Sequence, residues 1–99
     1  MTVRLSNGAS QDVDEAFDYY QAIRPGLGIE LLHEFRRGID RILEQPTGWQ
    51  PMDELYRRYR LDRFPYGIVY RHDKNSDEIV VIEFMHLKRK PADWRRRDT

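Results

Sequence analysis

The chain predicts an α+β fold: one domain over residues 1–99 in the order β-α-α-β-β-β, with a helical hairpin packed on an antiparallel sheet. Three observations predict it. Two segments carry apolar residues at helical spacing and are separated only by Arg24-Pro25-Gly26. Three later runs are rich in β-branched and aromatic residues with turn chemistry between them. A short alternating segment, Thr2 to Leu5, precedes the first helix and reads as a strand.

Taken in order, Ser6, Asn7 and Gly8 break that strand and offer N-caps. From about Ala9, Val13, Ala16, Phe17, Tyr20 and Ile23 form one apolar helical face. Asp12, Asp14 and Glu15 are expected in or near its first turns, where the helix dipole favours acids. Pro25 disfavours helical geometry in the residue before it and so stops the helix. The second helix carries Leu27, Leu31, Phe35, Ile39 and Ile42, widened by Leu32 and Leu43, and Pro46-Thr47-Gly48 ends it. So short a connection makes an antiparallel hairpin. Glu30, Glu34, Arg37 and Arg41 read as ordinary solvated surface.

Trp49 to Glu54 reads as a loop, followed by strands over Leu55 to Leu61, Tyr66 to His72 and Glu78 to His86. The last is apolar on both faces over most of its length and belongs inside the sheet. Asp73 to Asp77 is a hairpin loop.

Composition narrows the function. The 99 residues hold no cysteine, which excludes disulfides and thiolate metal sites and fits a reducing cytoplasm. Neither a membrane-length apolar run nor a signal-peptide core is present, so a soluble protein without membrane association is expected. Net charge is zero but uneven. Before Pro46 five arginines face eight acids, and from Pro46 onward twelve Lys/Arg face nine acids. An acidic helical half and a basic strand half suit an anionic partner on one side. Alternatively, 34% charged residues simply solvate a small domain. No metal-ligand spacing, phosphate loop, nucleophile elbow or dinucleotide fingerprint occurs, and no cofactor or metal is expected.

His86 is the most suggestive single residue. Counting by twos, it shares a strand face with Val80, Ile82 and Phe84 and emerges where a core face runs out. Arg89 follows it, and Arg57, Arg58 and Arg60 lie on a strand of the same sheet. A histidine that moves a proton while guanidinium groups hold phosphate is what cleavage through an RNA 2′-hydroxyl requires. The competing reading has His86 hydrogen-bonding a strand end. Tyr66 and Tyr70 can stack bases, but core packing is the better reading for both. Lys88, Arg89 and Lys90, with Trp94, form a basic and aromatic footprint for a macromolecular target or nucleic acid. Arg95 to Arg97 read more simply as a solvated terminus.

Five stretches in sequence order carry a wider resemblance. They are Asp14-Glu15-Ala16-Phe17-Asp18-Tyr19-Tyr20, Arg24-Pro25-Gly26-Leu27-Gly28, Ile42-Leu43-Glu44-Gln45-Pro46, Phe64-Pro65-Tyr66-Gly67-Ile68-Val69-Tyr70 and His86-Leu87-Lys88-Arg89-Lys90-Pro91. Together they resemble the RelE/ParE superfamily of bacterial type II toxin–antitoxin toxins, over nearly the whole chain and in the same element order. The resemblance implies a growth-inhibiting toxin neutralised by a cognate antitoxin protein. One branch cleaves mRNA in the ribosome. The other, ParE-like and of the plasmid-stabilisation type, poisons DNA gyrase by binding and has no established catalytic residues. Gly67 stands where the ribonuclease branch often has arginine, and Trp94 where it often has tyrosine. Phe64-Pro65-Tyr66 with Pro25-Gly26-Leu27-Gly28 leans to the ParE-like side. The expected function is therefore a toxin that binds gyrase through Arg57, Arg60, Lys88, Lys90 and Trp94. The alternatives are a ribosome-dependent endoribonuclease with His86 as acid/base and Arg58 and Arg89 on phosphate, or an interaction protein that keeps the fold without toxicity.

Overall fold

The structure, a computed structural model, describes residues 1–88 and Asp98. Its elements are β1 (Thr2–Leu5), α1 (Asn7–Ile23), α2 (Leu27–Glu44), β2 (Gln50–Pro51), β3 (Tyr56–Arg60), β4 (Tyr66–Asp73) and β5 (Glu78–His86). The α+β order matches the expectation, with two differences. The sheet is mixed rather than antiparallel, because β1 runs parallel to β5, in the order β1-β5-β4-β3-β2. A parallel neighbour needs a crossover, and the helical hairpin together with the other strands supplies it. Within the stretch read as a loop, Gln50 and Pro51 pair with Arg58 and Arg57 as an edge strand, where the missing proline N–H costs least.

Helix α1 starts two residues earlier than its apolar face suggests, because Ser6 caps it: its Oγ accepts from the Ala9 N–H at 3.1 Å. Asp12, Asp14 and Glu15 consequently lie beyond the first turn, outside the reach of the dipole argument. The hairpin turn is tied by the Gln21 side chain, whose Oε1 accepts from the N–H groups of Gly26 and Gly28, both at 2.9 Å. Gly26 takes φ +96°, and a Cβ on Gly28 would stand 2.7 Å from the Phe17 carbonyl oxygen, so neither position accepts a side chain cheaply.

The hairpin covers one face of the sheet. Ala9, Val13, Ala16, Leu31, Ile39 and Ile42 meet Tyr59, Ile68, Tyr70, Ile79, Val81 and Phe84. On the other face a smaller set, Tyr56, Val69, Val80, Ile82 and Met85, is also buried. The helix surface is less plainly solvated than its charges imply. Glu34 is buried and takes a hydrogen bond from Arg37 at 2.9 Å. Glu30 joins Arg24 to Arg63, and Arg41 reaches Tyr59 Oη at 2.9 Å.

One irregularity positions everything that follows. Val69 pairs with Glu83 but Tyr70 pairs with Val81, so Ile82 is an extra residue in β5. A bulge of this kind reverses the inside–outside alternation beyond it. Ile79 and Val81 face the helices before the bulge, and Phe84 does so after it. The freed backbone groups are satisfied from α1 and its N-cap. Ser6 N–H and Oγ–H donate to the carbonyls of Val81 and Ile82, and Asp12 Oδ2 accepts from the Phe84 N–H at 3.1 Å.

Candidate functional site

The bulge decides where His86 points. Its ring packs edge-on to Tyr66 with centroids 5.1 Å apart, on the helix side of the sheet. It therefore shares a face with Phe84, Ile79 and Val81, not with Val80 and Ile82 as unbroken alternation implies. There it closes a cleft of about 330 Å³ between α1 and the end of β5, lined by Asp12, Glu15, Tyr19, Tyr20, Tyr66 and Phe84 among others. The aromatic rings are mutually braced. Tyr66 stacks on Phe84 at 4.6 Å, Tyr20 meets Tyr66 edge-on at 6.2 Å, and Tyr19 meets Tyr20 at 5.1 Å. Burial, seconded by the neighbouring Tyr19 hydroxyl, pushes the Tyr20 phenol up. Tyr66 and Tyr70 are core residues, as the simpler reading of the sequence had them.

His86 Nδ1 accepts a hydrogen bond from the Lys88 backbone N–H at 3.1 Å. In the neutral ring this places the proton on Nε2. The imidazole then has no free lone pair with which to abstract a proton, and it ties off the strand end instead.

Arg58 lies on the opposite side of the sheet. It pairs with Val69, and its aliphatic stem crosses Gly67, where a Cβ would stand 2.9 Å from Arg58 Cδ. A β3 cation thus fills the space that a β4 side chain at Gly67 would take. Its terminal nitrogen donates to Gln50 Oε1 at 3.1 Å, while Nε is buried without a hydrogen-bond partner among the described residues. Arg60 pairs with Gly67 and is exposed. Arg57 points the other way along the strand, and its guanidinium donates to the Trp49 carbonyl at 2.9 Å. Lys88 is exposed. Arg89, Lys90, Trp94 and Arg95 to Arg97 lie outside the described residues. The sheet therefore separates His86 from Arg58, and Arg57 and Arg60 stand on different faces.

A polar cluster without any sequence signal completes the outer face. The Asp98 carboxylate accepts from the Arg71 guanidinium through both oxygens and from Tyr56 Oη at 2.8 Å. Burial alone would raise the Asp98 carboxyl, but hydrogen bonds from Arg71 and Tyr56 outweigh it and hold it below the usual range. Burial first, then that carboxylate, pushes the Tyr56 phenol up to about 12. Tyr70, on the helix side, is also pushed up to about 12 by burial, and its hydroxyl donates to the Pro46 carbonyl at 2.6 Å. Bidentate arginine–carboxylate geometry is directional and strong, yet partners 27 residues apart have no periodicity to betray them. Among the described residues no group of three or more His, Asp or Glu side chains is arranged to hold a metal, and no helix is long and apolar enough to cross a membrane.

Residues 3–91 match the family described as the ParE toxin of the type II toxin–antitoxin system parDE. Toxin ParE2 of Mycobacterium tuberculosis, from strains CDC 1551 / Oshkosh and ATCC 25618 / H37Rv alike, is 30% identical over 81 residues, covering 81% of this chain and 77% of that protein. The fold is also similar to a chain of a solved chromosomal ParDE TA system from P. aeruginosa. The TM-score is 0.73 at 18% identity, over 89% of this chain and 97% of the other.

Proposed function

We propose a function from one premise: the chain belongs to the ParE toxin family of type II toxin–antitoxin systems. It inhibits bacterial growth by binding a macromolecular target rather than by cutting RNA, with DNA gyrase the preferred target, and a cognate antitoxin protein neutralises it. The observation that supports the binding reading is the separation of two of the three would-be catalytic groups, His86 and Arg58, Arg89 lying outside the described residues. His86 is on the helix side with its Nδ1 engaged, and no arginine or lysine lines its cleft among the described residues. Arg58 is across the sheet. General acid–base chemistry needs the base within about 3 Å of the proton it takes, and phosphate-holding groups belong beside it. The exposed cations Arg60 and Lys88 suit contact with a charged macromolecule instead.

Expression in a sensitive bacterium tests this directly. The expected result is growth arrest with a DNA-damage response and inhibition of gyrase supercoiling by the purified protein. His86→Ala is expected to retain most of the toxicity. Transcripts cut at mapped positions by primer extension, with toxicity lost in a folded His86→Ala variant, would overturn the binding reading. No growth defect would overturn both it and RNA cleavage.

A further inference from the structure

We infer that the cleft between α1 and the end of β5 is a receptor for a basic side chain, an arginine or lysine presented by the antitoxin polypeptide. This rests on the toxin–antitoxin reading for the source of the side chain, but the chemistry of the cleft stands by itself. Helix α1 carries four acids, Asp12, Asp14, Glu15 and Asp18, and neither lysine nor arginine in its 17 residues. Two of those acids, Asp12 and Glu15, line the cleft. Glu15 is exposed, and among the described residues its carboxylate is bonded only by the neutral amide of Gln11 at 3.2 Å.

Besides Ala16 and His86, the remaining lining is aromatic. Tyr19, Tyr20, Tyr66 and Phe84 surround the opening, and Tyr19 keeps 61% of its surface exposed. Ring faces attract a cation that carboxylates have already drawn in, and a guanidinium plane stacks on them better than an ammonium. A volume of about 330 Å³ is at the small end of ligand pockets, roughly 300–1,000 Å³. It suits one long side chain better than a nucleotide, whose phosphates the two carboxylates would also repel. The inner walls are fixed in place, since Asp12 is bonded to the bulge at Phe84 N–H and Tyr20, Tyr66 and Phe84 pack on one another. The occupant therefore meets a preformed site.

Two arms of an experiment separate the cleft from its source of ligand. In the first, N-acetyl-arginine amide is titrated into the free protein while aromatic ring resonances are followed by NMR. Saturable shifts at Tyr19, Tyr66 and His86 in the millimolar range are expected, with none for the uncharged N-acetyl-citrulline amide. Equal response to the two compounds, or no saturable response to the arginine derivative, overturns the receptor. In the second, antitoxin affinity is compared for the wild type, Glu15→Lys and Asp14→Lys. Asp14 is exposed on the same helix and outside the cleft, so its substitution makes the same charge change elsewhere. Glu15→Lys is expected to weaken binding at least tenfold and Asp14→Lys less than threefold. Equal losses, or no loss, overturn the placement of an antitoxin side chain in the cleft. If no antitoxin binds the wild type, the toxin–antitoxin reading fails, and the first arm still decides the receptor.

Discussion

On the side of the sheet that meets the helices, Tyr59, Ile68, Tyr70, Val81 and Phe84 pack against two amphipathic helices. On the other side, Tyr56, Val69, Val80, Ile82 and Met85 form a smaller buried set among the described residues, bordered by Arg58 and by Arg71 with the Asp98 carboxylate. The first face is secured by area removed from water, which is non-directional and tolerant of detail. The second adds to its smaller buried apolar set a few directional, charge-assisted bonds. The contrast teaches which side can be rebuilt without losing the fold. The larger apolar face must stay hydrophobic, whereas the polar border of the outer face can exchange its bonds for contacts with another molecule.

The largest effect is expected where the contrast is sharpest. Ile68 is fully buried in the first half of β4, facing the helices. Ile68→Ala should cost about 2–5 kcal/mol, from lost transfer energy plus the cavity left behind. Urea unfolding measures it, and a cost below that of any outer-face polar substitution would break the comparison.

That difference between faces also explains what was legible beforehand. The helical hairpin and the three long strands follow from apolar periodicity and turn residues, which are local signals. Glu78 to His86 is read to its true ends for the same reason. The parallel pairing of β1 with β5 is a contact between residues 76 apart, such as Thr2 and Glu78, and has no local signature. The bulge at Ile82 is equally silent, because Ile79, Val80, Val81 and Ile82 are apolar on either alternation. Missing it puts His86 on the correct side of Phe84 but with the wrong upstream companions. The chain carries its trace in Asp12, placed to accept the freed Phe84 N–H, and in Ser6, which donates to the Val81 and Ile82 carbonyls. Gly67 was visible as a missing charge, but not as the floor beneath Arg58.

The next effect belongs to the outer face. Asp98→Asn keeps the side-chain size but removes the charge from the bonds to Arg71 and Tyr56. Hydrogen bonds to charged groups are worth about 1.5–3 kcal/mol, and a loss in that range is expected near neutral pH. The dependence on pH sharpens it. The Asp98 carboxyl is held below its ordinary value in the folded state. Its contribution is therefore present above the unfolded carboxylate value of about 4 and is lost as pH falls through the folded value. The stability gap between wild type and Asp98→Asn should close in acid, as measured by urea midpoints across that range. A gap independent of pH would mean that the carboxylate charge is not what holds this face.

A smaller effect is expected at Ser6, which serves the helix and the sheet at once. Its Oγ accepts from Ala9 N–H and donates to the Ile82 carbonyl at the bulge. Ser6→Ala removes both bonds and should cost about 0.5–2 kcal/mol, the range for losing an N-cap. Amide exchange separates the two roles. Faster exchange in the first turn of α1 alone reports the cap, whereas faster exchange that extends to Phe84 reports that the bulge has loosened as well.

The smallest change in stability, and the one that bears most on target contact, is expected at Gly67. An added Cβ would meet Arg58 Cδ at 2.9 Å and Cγ at 3.0 Å, so the arginine stem must move. Because a side chain rather than backbone gives way, Gly67→Ala should fall at or below the low end of overpacking costs, about 1 kcal/mol. Moving the stem also frees the Arg58 Nε from a position where it has no partner among the described residues, which offsets part of that cost. Stability and function therefore separate at this residue. If gyrase is the target as proposed and the outer-face arginines contact it, Gly67→Ala alters gyrase inhibition while leaving antitoxin binding at the proposed α1 cleft unchanged. Equal effects on both would show that the two faces of the sheet are not independent surfaces.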